Sequence, residues 1–163
     1  MMKEYPFCTP EFWRERIKES KTLRDAIQGV SDWDATLKGH KAILDKFVRG
    51  RVFDAGCGYG RIIEYLPDTV TDYVGMDITP EFIEEAKRRY PEHRFKLGDI
   101  RRTTFYNKEF DWAIAIGMAN DNRPWHEMEK ELIRVAKNVL LLWLSKPDKY
   151  FIYKDEGTTE EKS

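Results

Sequence analysis

The chain has 163 residues, of which 28 are basic and 29 acidic, and its formal net charge of −1 gives no reason to expect nucleic acid or an anionic membrane as a partner. A hydrophobic content of 41% at this length is enough for one large core and one domain. The sequence has no apolar run of about 18 residues and no apolar signal segment, so we expect a cytoplasmic protein without a membrane span.

The first fifty residues carry helical patterns. Thr9 can cap a helix that has Pro10 at its first position, and apolar residues at helical spacing continue up to residue 48. Phe12, Trp13 and Trp33 are costly to leave in water, so these helices should either cover a ligand or pack on a sheet. We therefore divide a domain of residues 1–153 into a helical cap, 1–50, and a core, 51–153.

From residue 51 onward, strands alternate with helices. The expected strands are 52–55, 72–77, 93–97, 110–117 and 138–144, and the expected helices are 60–66, 80–90 and 124–136. The two longest strands are almost continuously apolar, which is typical of parallel strands covered on both faces. The pattern predicts an α/β fold with a doubly wound, mostly parallel sheet that binds ligands at the carboxyl ends of its strands.

The C-terminal part is short for such a sheet. Residues 150–153 could add one strand at most, which would leave a truncated edge beside the fifth strand, open to pairing in a homodimer. The polar segment 154–163 is predicted to be disordered. Cys8 and Cys57 lie far apart in the sequence, and we expect both to be free thiols.

One turn between a strand and a helix carries the strongest sign of a ligand. Asp54 precedes a glycine loop, residues 56–60, in which Gly56, Gly58 and Gly60 let a ligand approach because they lack a Cβ atom. A dinucleotide fingerprint would need a glycine at the position of Arg61. Asp54 would repel a diphosphate but tolerates an ammonium and a sulfonium group, which favours S-adenosylmethionine over NAD. Taken alone, the loop could still be only a tight turn.

Two more acidic residues follow the next two strands. Asp77 lies about twenty residues beyond the glycine loop and can accept both hydroxyl groups of a ribose, or else cap the next helix, for which Thr79 is better placed. Asp99 can accept from an adenine amino group while the Ile100 amide donates to a ring nitrogen, although alone it would indicate a turn. Because parallel strands end at one edge of the sheet, Asp54, Asp77 and Asp99 should converge on one crevice.

Together these motifs resemble the core of the class I S-adenosylmethionine-dependent methyltransferases. The resemblance covers residues 51 to about 144 and rests on DAGCGYG from Asp54, GMDI around Asp77, GDI around Asp99, and a fourth strand, FDWAIAIG, that ends at Gly117. It implies that S-adenosylmethionine is the cofactor. It also implies these cofactor-binding residues: Asp54, Gly56, Gly58 and Gly60 at the methionine part, Asp77 at the ribose, Ile78 on the adenine, Asp99 and Ile100 at the adenine edge, and Gly117.

The resemblance further implies methyl transfer, and we expect a small-molecule acceptor and no metal. Asn120, Asp121 and His126 are candidates for orienting or deprotonating that acceptor, although Asp121 could simply cap a helix and His126 could be structural. The Asn-Pro-Pro-Tyr motif of enzymes that methylate nucleic-acid amino groups is absent after the fourth strand. The absence of this motif removes one class of nucleic-acid enzyme but does not exclude other nucleic-acid acceptors or a protein acceptor.

Two alternatives remain at this point. The family usually continues after its fifth strand with a helix and a two-strand hairpin, so the short C-terminus is also compatible with a non-catalytic cofactor-binding or partner protein that retains the fold. A dehydrogenase is a more distant alternative. Basic residues between 87 and 102 could meet a phosphate group, but the interspersed Glu84, Glu85 and Glu92 favour a solvated surface.

Overall fold

The computed structural model describes residues 9–28, 33–117, 125–143, 150–155 and 159–162. In this part of the chain seven strands form one sheet, in the order β3-β2-β1-β4-β5-β6-β7. The strands are β1 Gly50–Ala55, β2 Val70–Asp77, β3 Arg94–Leu97, β4 Phe110–Ile116, β5 Ala136–Leu142, β6 Tyr150–Lys154 and β7 Thr159–Lys162. Strands β1 to β5 are parallel, whereas β6 and β7 are antiparallel.

Helices cover both faces of this sheet. They are α1 Pro10–Glu19, α2 Leu23–Gln28, α3 Trp33–Phe47, a 3-10 helix Arg61–Tyr65, α4 Pro80–Arg89 and α5 Trp125–Val135. Side chains of α1 to α4 and of the 3-10 helix join the apolar core on one face, and those of α5 join the core on the other. The predicted doubly wound, mostly parallel sheet is therefore confirmed.

The alternation of side chains along the central strands explains this two-sided core. In β5, Leu140 and Leu142 lie in the core beneath α3 and α4, whereas Val139 and Leu141 lie in the core beneath α5. Side chains of a strand alternate between faces, so an apolar strand of this kind needs cover on both sides. The prediction made from continuous apolar runs is confirmed for this strand.

The first helix begins as its sequence predicts. The Thr9 side chain accepts a hydrogen bond from the Phe12 N–H at 3.4 Å, and Pro10 occupies the first position of α1. The helix predicted at residues 60–66 is a short 3-10 helix instead. It has room for little more than one turn between Gly60, whose φ is 86°, and Pro67, which disfavours helical backbone at the residue before it.

The C-terminal edge differs from the sequence-based expectation. β6 pairs with β5 from Asn138 to Leu142, so β5 is not an open edge, and β7 pairs in turn with β6. The prediction of disorder for residues 154–163 is wrong for Thr159–Lys162, which form β7. Tyr150 and Ile152 of β6 are buried in the core beneath α3.

Candidate functional site

The glycine loop lies at the edge of the sheet where the parallel strands end. Gly56, Gly58 and Gly60 have φ angles of 75°, 54° and 86°, which lie in the left-handed region that glycine adopts without steric cost. The N–H groups of Gly56 and Cys57 both donate to the Met76 carbonyl oxygen, at 2.9 and 3.0 Å. The loop is therefore tied to the end of β2, and its shape requires glycine.

Asp77, at the end of β2, is hydrogen-bonded to two backbone amides. Its Oδ2 accepts from the Gly58 N–H and its Oδ1 accepts from the Thr79 N–H, both at 2.9 Å. Burial raises the pKa of Asp77, and the hydrogen bonds from these amides oppose that rise. Each carboxylate oxygen has a second lone pair, so Asp77 can still accept two hydroxyl groups of a ligand.

Asp54, near the end of β1, is the second buried acid of the site. Its Oδ2 accepts a hydrogen bond from the Tyr73 hydroxyl group at 2.7 Å. Burial raises the pKa of Asp54 to about 7; the Tyr73 hydrogen bond lowers it and the nearby Asp77 charge raises it further. Within the described ranges, neither Asp54 nor Asp77 forms an ion pair with a basic side chain. A cationic ligand group would therefore be attracted here.

The Cys57 side chain packs beneath the glycine loop. Cys57 is a free, buried cysteine, as expected, and burial raises the pKa of its thiol, which makes it a packing group rather than a nucleophile. The space it occupies exists because residue 75 is glycine. A Cβ atom at Gly75 would lie 2.9 Å from the Cys57 Sγ and 2.9 Å from Phe95 Cδ1. The other cysteine, Cys8, lies outside the described residues.

The predicted adenine-binding residues follow β2 and β3. Ile78 is half-buried beside Asp77, and Ile100 is buried in the core beneath α5. The Asp99 carboxylate already has a partner, because the Arg101 Nε and Nη2 bind its two oxygens at 2.9 and 2.6 Å. Burial alone would raise the pKa of Asp99, but the hydrogen bonds from Arg101 outweigh it and the pKa is lowered. Asp99 can accept a hydrogen bond from adenine only through the oxygen lone pairs that are not already bonded to Arg101.

Gly117 completes the edge at the end of β4. It has a φ of 67°, and its N–H donates to the Leu142 carbonyl oxygen at 2.9 Å. On the other side, the Gly98 N–H after β3 donates to the Asp77 carbonyl oxygen at 3.0 Å. The candidate cofactor residues thus follow or end four neighbouring parallel strands, as the sequence predicted from their positions.

Of the three acceptor candidates, His126 lies within the described residues. Asn120 and Asp121 lie outside the described residues. His126 lies in the first turn of α5 with 91% of its side chain exposed, and its Nδ1 is 3.6 Å from Glu129 Oε2. The structure therefore brings the cofactor candidates together and leaves His126 on the surface.

The N-terminal helices contact both the core and the glycine loop. Trp13 of α1 packs edge-on against Phe82 of α4, with ring centroids 5.8 Å apart. From α2, Ile27 Cδ1 would lie 3.2 Å from a Cβ atom at Gly58. The sequence left open whether these helices pack on the sheet or cover a ligand. In the structure α1 packs on the core, and α2 lies against the glycine loop. The side chain of Trp33 is outside the described residues.

Sequence reasoning overlooked two residues of the site, Tyr73 and Gly75. Gly75 and Tyr73 precede Asp77 by two and four residues, so all three lie on the same face of the strand. The alternation of side chains along a strand could have identified them. Three basic residues of the segment 87–102 bind acidic side chains: Arg88 and Arg89, at the end of α4, bind Glu85, and Arg94 of β3 binds Asp72.

The described residues contain no group of three or more histidine, cysteine or acidic side chains that could hold a metal ion. In the same part of the chain, every helix is too short or too polar to cross a lipid bilayer.

Comparison with known proteins gives one consistent result. A family model described as a methyltransferase domain matches residues 52–139, just over half of the chain. The chain is 33% identical over 117 residues to the demethylmenaquinone methyltransferase of Renibacterium salmoninarum, a match that covers 69% of this chain and 49% of that protein. It is 30% identical over 104 residues to the magnesium-protoporphyrin O-methyltransferase of Rhodobacter capsulatus, which covers 61% of this chain and 45% of that protein.

A solved structure of similar fold is the phosphoethanolamine N-methyltransferase 1 of Haemonchus contortus, in complex with phosphoethanolamine and S-adenosylhomocysteine. Its TM-score is 0.63 at 17% sequence identity, over 80% of this chain and 30% of that chain. At this identity the likeness concerns the fold alone. The chain spans about half the length of the curated relatives it matches.

Proposed function

Because the chain belongs to the methyltransferase-domain family, we propose that it binds S-adenosylmethionine at the glycine loop and transfers its methyl group to an acceptor. The observation that carries the proposal is the pair of buried carboxyl groups, Asp54 and Asp77, beside the glycine loop without an ion pair among the described residues. A cofactor with an ammonium group, a sulfonium group and a ribose complements that pair in charge and in hydrogen bonding.

Each end of the cofactor has its own proposed residues. The methionine part would lie at the loop beside Asp54, and the ribose hydroxyls would bind the Asp77 oxygens. The adenine would pack on Ile78, with Asp99 and the Ile100 amide at its polar edge. The complete proposed set is Asp54, Gly56, Gly58, Gly60, Asp77, Ile78, Asp99, Ile100 and Gly117.

The residues of the chain act mainly by positioning. S-adenosylmethionine supplies an electrophilic methyl group, and its transfer is an in-line displacement whose rate depends on alignment with the acceptor atom. The loop and Asp77 fix the cofactor at two points, while α2, which touches the loop through Ile27, would exclude water from it. Asn120, Asp121 and His126 remain candidates for orienting or deprotonating the acceptor.

We propose a small molecule as the acceptor. The relatives' own names describe demethylmenaquinone, magnesium-protoporphyrin and phosphoethanolamine methyltransferases, so both the acceptor and the receiving atom vary within the fold. Radiolabelled methyl transfer into fractionated cell extract tests this point. Label in the small-molecule fraction supports it, and label confined to protein or nucleic acid contradicts it.

Titration calorimetry with S-adenosylmethionine and S-adenosylhomocysteine tests cofactor binding. We expect both to bind at submillimolar concentration, and Asp77→Ala to weaken binding at least about tenfold because it removes the acceptor for the ribose hydroxyls. Asp72→Ala is the matched control, since Asp72 lies on the same strand and binds Arg51 and Arg94 instead. Absence of binding by the unmodified protein would overturn the proposal.

Three further expectations concern catalysis, cellular location and oligomeric state. The alternative of a non-catalytic partner protein depends on a short C-terminus that leaves the fifth strand as an open edge, and the pairing of β6 with β5 argues against it. We keep cytoplasmic location as a prediction, tested by cell fractionation. A homodimer is a prediction that light scattering tests, and its strand edges in the described sheet would be β3 and β7.

A further inference from the structure

The Tyr73 side chain is fixed in one position within the core next to the glycine loop. It is 2% exposed, and its ring lies edge-on to His93 and Phe95, with centroid distances of 5.3 and 5.8 Å. A ring enclosed in this way has little freedom to turn. Its hydroxyl group is therefore held at the Asp54 carboxyl group, to which it donates the 2.7 Å hydrogen bond.

Asp54 depends strongly on that hydrogen bond because its other surroundings disfavour a charge. Asp54 is 3% exposed, and the titratable groups that act on it are Tyr73, Asp77 and the Cys57 thiol. His40 of α3 is buried on the same face of the sheet, but its Nε2 donates to the Trp143 carbonyl oxygen at 2.9 Å. Among these groups, only Tyr73 donates a hydrogen bond to Asp54.

We propose that Tyr73 is a positioning residue for the cofactor: its hydroxyl group holds the Asp54 carboxylate ionised and aimed at the cationic end of S-adenosylmethionine. The inference rests on the proposed function, because it needs a ligand with a positive charge near Asp54. Tyr73 acts through Asp54 and does not touch the cofactor. Its role is distinct from general packing, which the aromatic ring alone supplies.

The consequence for binding follows from charge. A phenylalanine at position 73 keeps the ring contacts with His93 and Phe95 but leaves Asp54 without its donor. Burial and the Asp77 charge then favour the protonated acid, and a neutral carboxyl group attracts an ammonium or sulfonium group far less. The effect is largest where Asp54 titrates and disappears where Asp54 is ionised in both proteins.

Calorimetric titration with S-adenosylhomocysteine between pH 6.5 and 8.5 tests the proposal. We expect Tyr73→Phe to weaken binding about tenfold at pH 7 and only about twofold at pH 8.5. Comparing both proteins at each pH cancels the ionisation of the ligand. Tyr153→Phe is the matched control, because the Tyr153 hydroxyl also interacts with a carboxyl group, that of Glu129, but on the other face of the sheet. This variant should bind like the unmodified protein.

A second comparison separates positioning from a structural role. In an Asp54→Asn background, Tyr73→Phe should change the affinity little, since the group through which it acts is gone. An equal loss at every pH that persists in this background would overturn the inference, as would unchanged affinity in Tyr73→Phe. If the unmodified protein binds neither cofactor form, the proposed function itself fails, which is a different result.

Thermal melting first establishes that Tyr73→Phe is folded. If it is not, 3-fluorotyrosine placed at position 73 keeps the ring and the hydroxyl group while making the hydroxyl a stronger donor. The pH dependence of binding should then move to lower pH than in the unmodified protein. A profile that does not move, or that moves to higher pH, would overturn the inference.

Discussion

Asp77 and Gly58 are joined by a hydrogen bond of 2.9 Å between the Asp77 Oδ2 and the Gly58 N–H. The same carboxylate accepts from the Thr79 N–H through its other oxygen. One side chain therefore links the glycine loop to the segment that leads into α4. Since groups of the chain itself make both bonds, they restrict the conformations open to the loop, and a restricted loop loses less entropy when a ligand binds.

Gly58→Ala should damage this organisation. At a φ of 54° an added Cβ is strained, and it would lie 3.2 Å from Ile27 Cδ1. We expect a loss of about 1–2 kcal/mol in the free energy of unfolding and weaker cofactor binding. Urea denaturation and calorimetry measure the two effects.

Gly39→Ala is the control for that substitution. Gly39 is an exposed residue within α3, where alanine is the better helix former, so the protein should gain about 0.5–1 kcal/mol. Destabilisation by both variants alike would contradict a role specific to the loop.

Gly75→Ala should disturb the packing beneath the loop. The new Cβ would meet the Cys57 Sγ and Phe95 Cδ1, each at 2.9 Å, so one of them must shift, at a cost of about 1–3 kcal/mol. Adding Cys57→Ala should recover part of that loss because it removes the Sγ contact, while the Cβ of residue 57, at 3.0 Å from the added atom, stays. Denaturation of the single and double variants measures the coupling, and strictly additive effects would contradict the proposed contact.

The glycine loop and the acids at the strand ends could be predicted because their signals are local. Asp54, Asp77 and the intervening glycines belong to short motifs, and the parallel sheet brings strand ends together whatever the detailed packing. Tyr73 is different, because its bond to Asp54 depends on the register of two strands: Asp54 lies opposite Gly75, and Tyr73 is the next residue on that face.

Other features escaped prediction for reasons that are also physical. β7 consists of Thr159–Lys162, whose polar side chains give no apolar alternation, so its pairing with β6 is invisible in the sequence pattern. The hydrogen bonds from Arg101 to Asp99 also could not be predicted. The two residues lie in a turn, and the sequence does not show in which direction the Arg101 side chain points there.

Ile152→Ala should reveal how much the C-terminal strands support the sheet. Ile152 is fully buried, lies opposite Leu140 of β5 and belongs to the core beneath α3. Its truncation leaves a cavity, and we expect a loss of about 2–4 kcal/mol in the free energy of unfolding. An effect below about 1 kcal/mol would contradict the pairing of β6 with the sheet.

Asp54 should make the protein less stable as the pH rises through neutrality. Its carboxyl group has an ordinary pKa of 3.8 in the unfolded chain and a pKa of about 7 in the folded protein, where burial is the main cause of the rise. Between these values the folded state binds more protons than the unfolded state, so the free energy of unfolding falls with increasing pH. The penalty grows from about pH 4 and is fully developed above about pH 7.

Asp54→Asn tests this dependence, because the amide cannot ionise. The variant should lose most of the slope between pH 5 and pH 8 and should exceed the unmodified protein in stability at pH 8, by on the order of 1–3 kcal/mol. Glu131, whose pKa is lowered to about 2 mainly by its hydrogen bond with Arg134, does not titrate in this window. Urea denaturation at both pH values measures the slope, and equal slopes in the two proteins would show that Asp54 is ionised throughout.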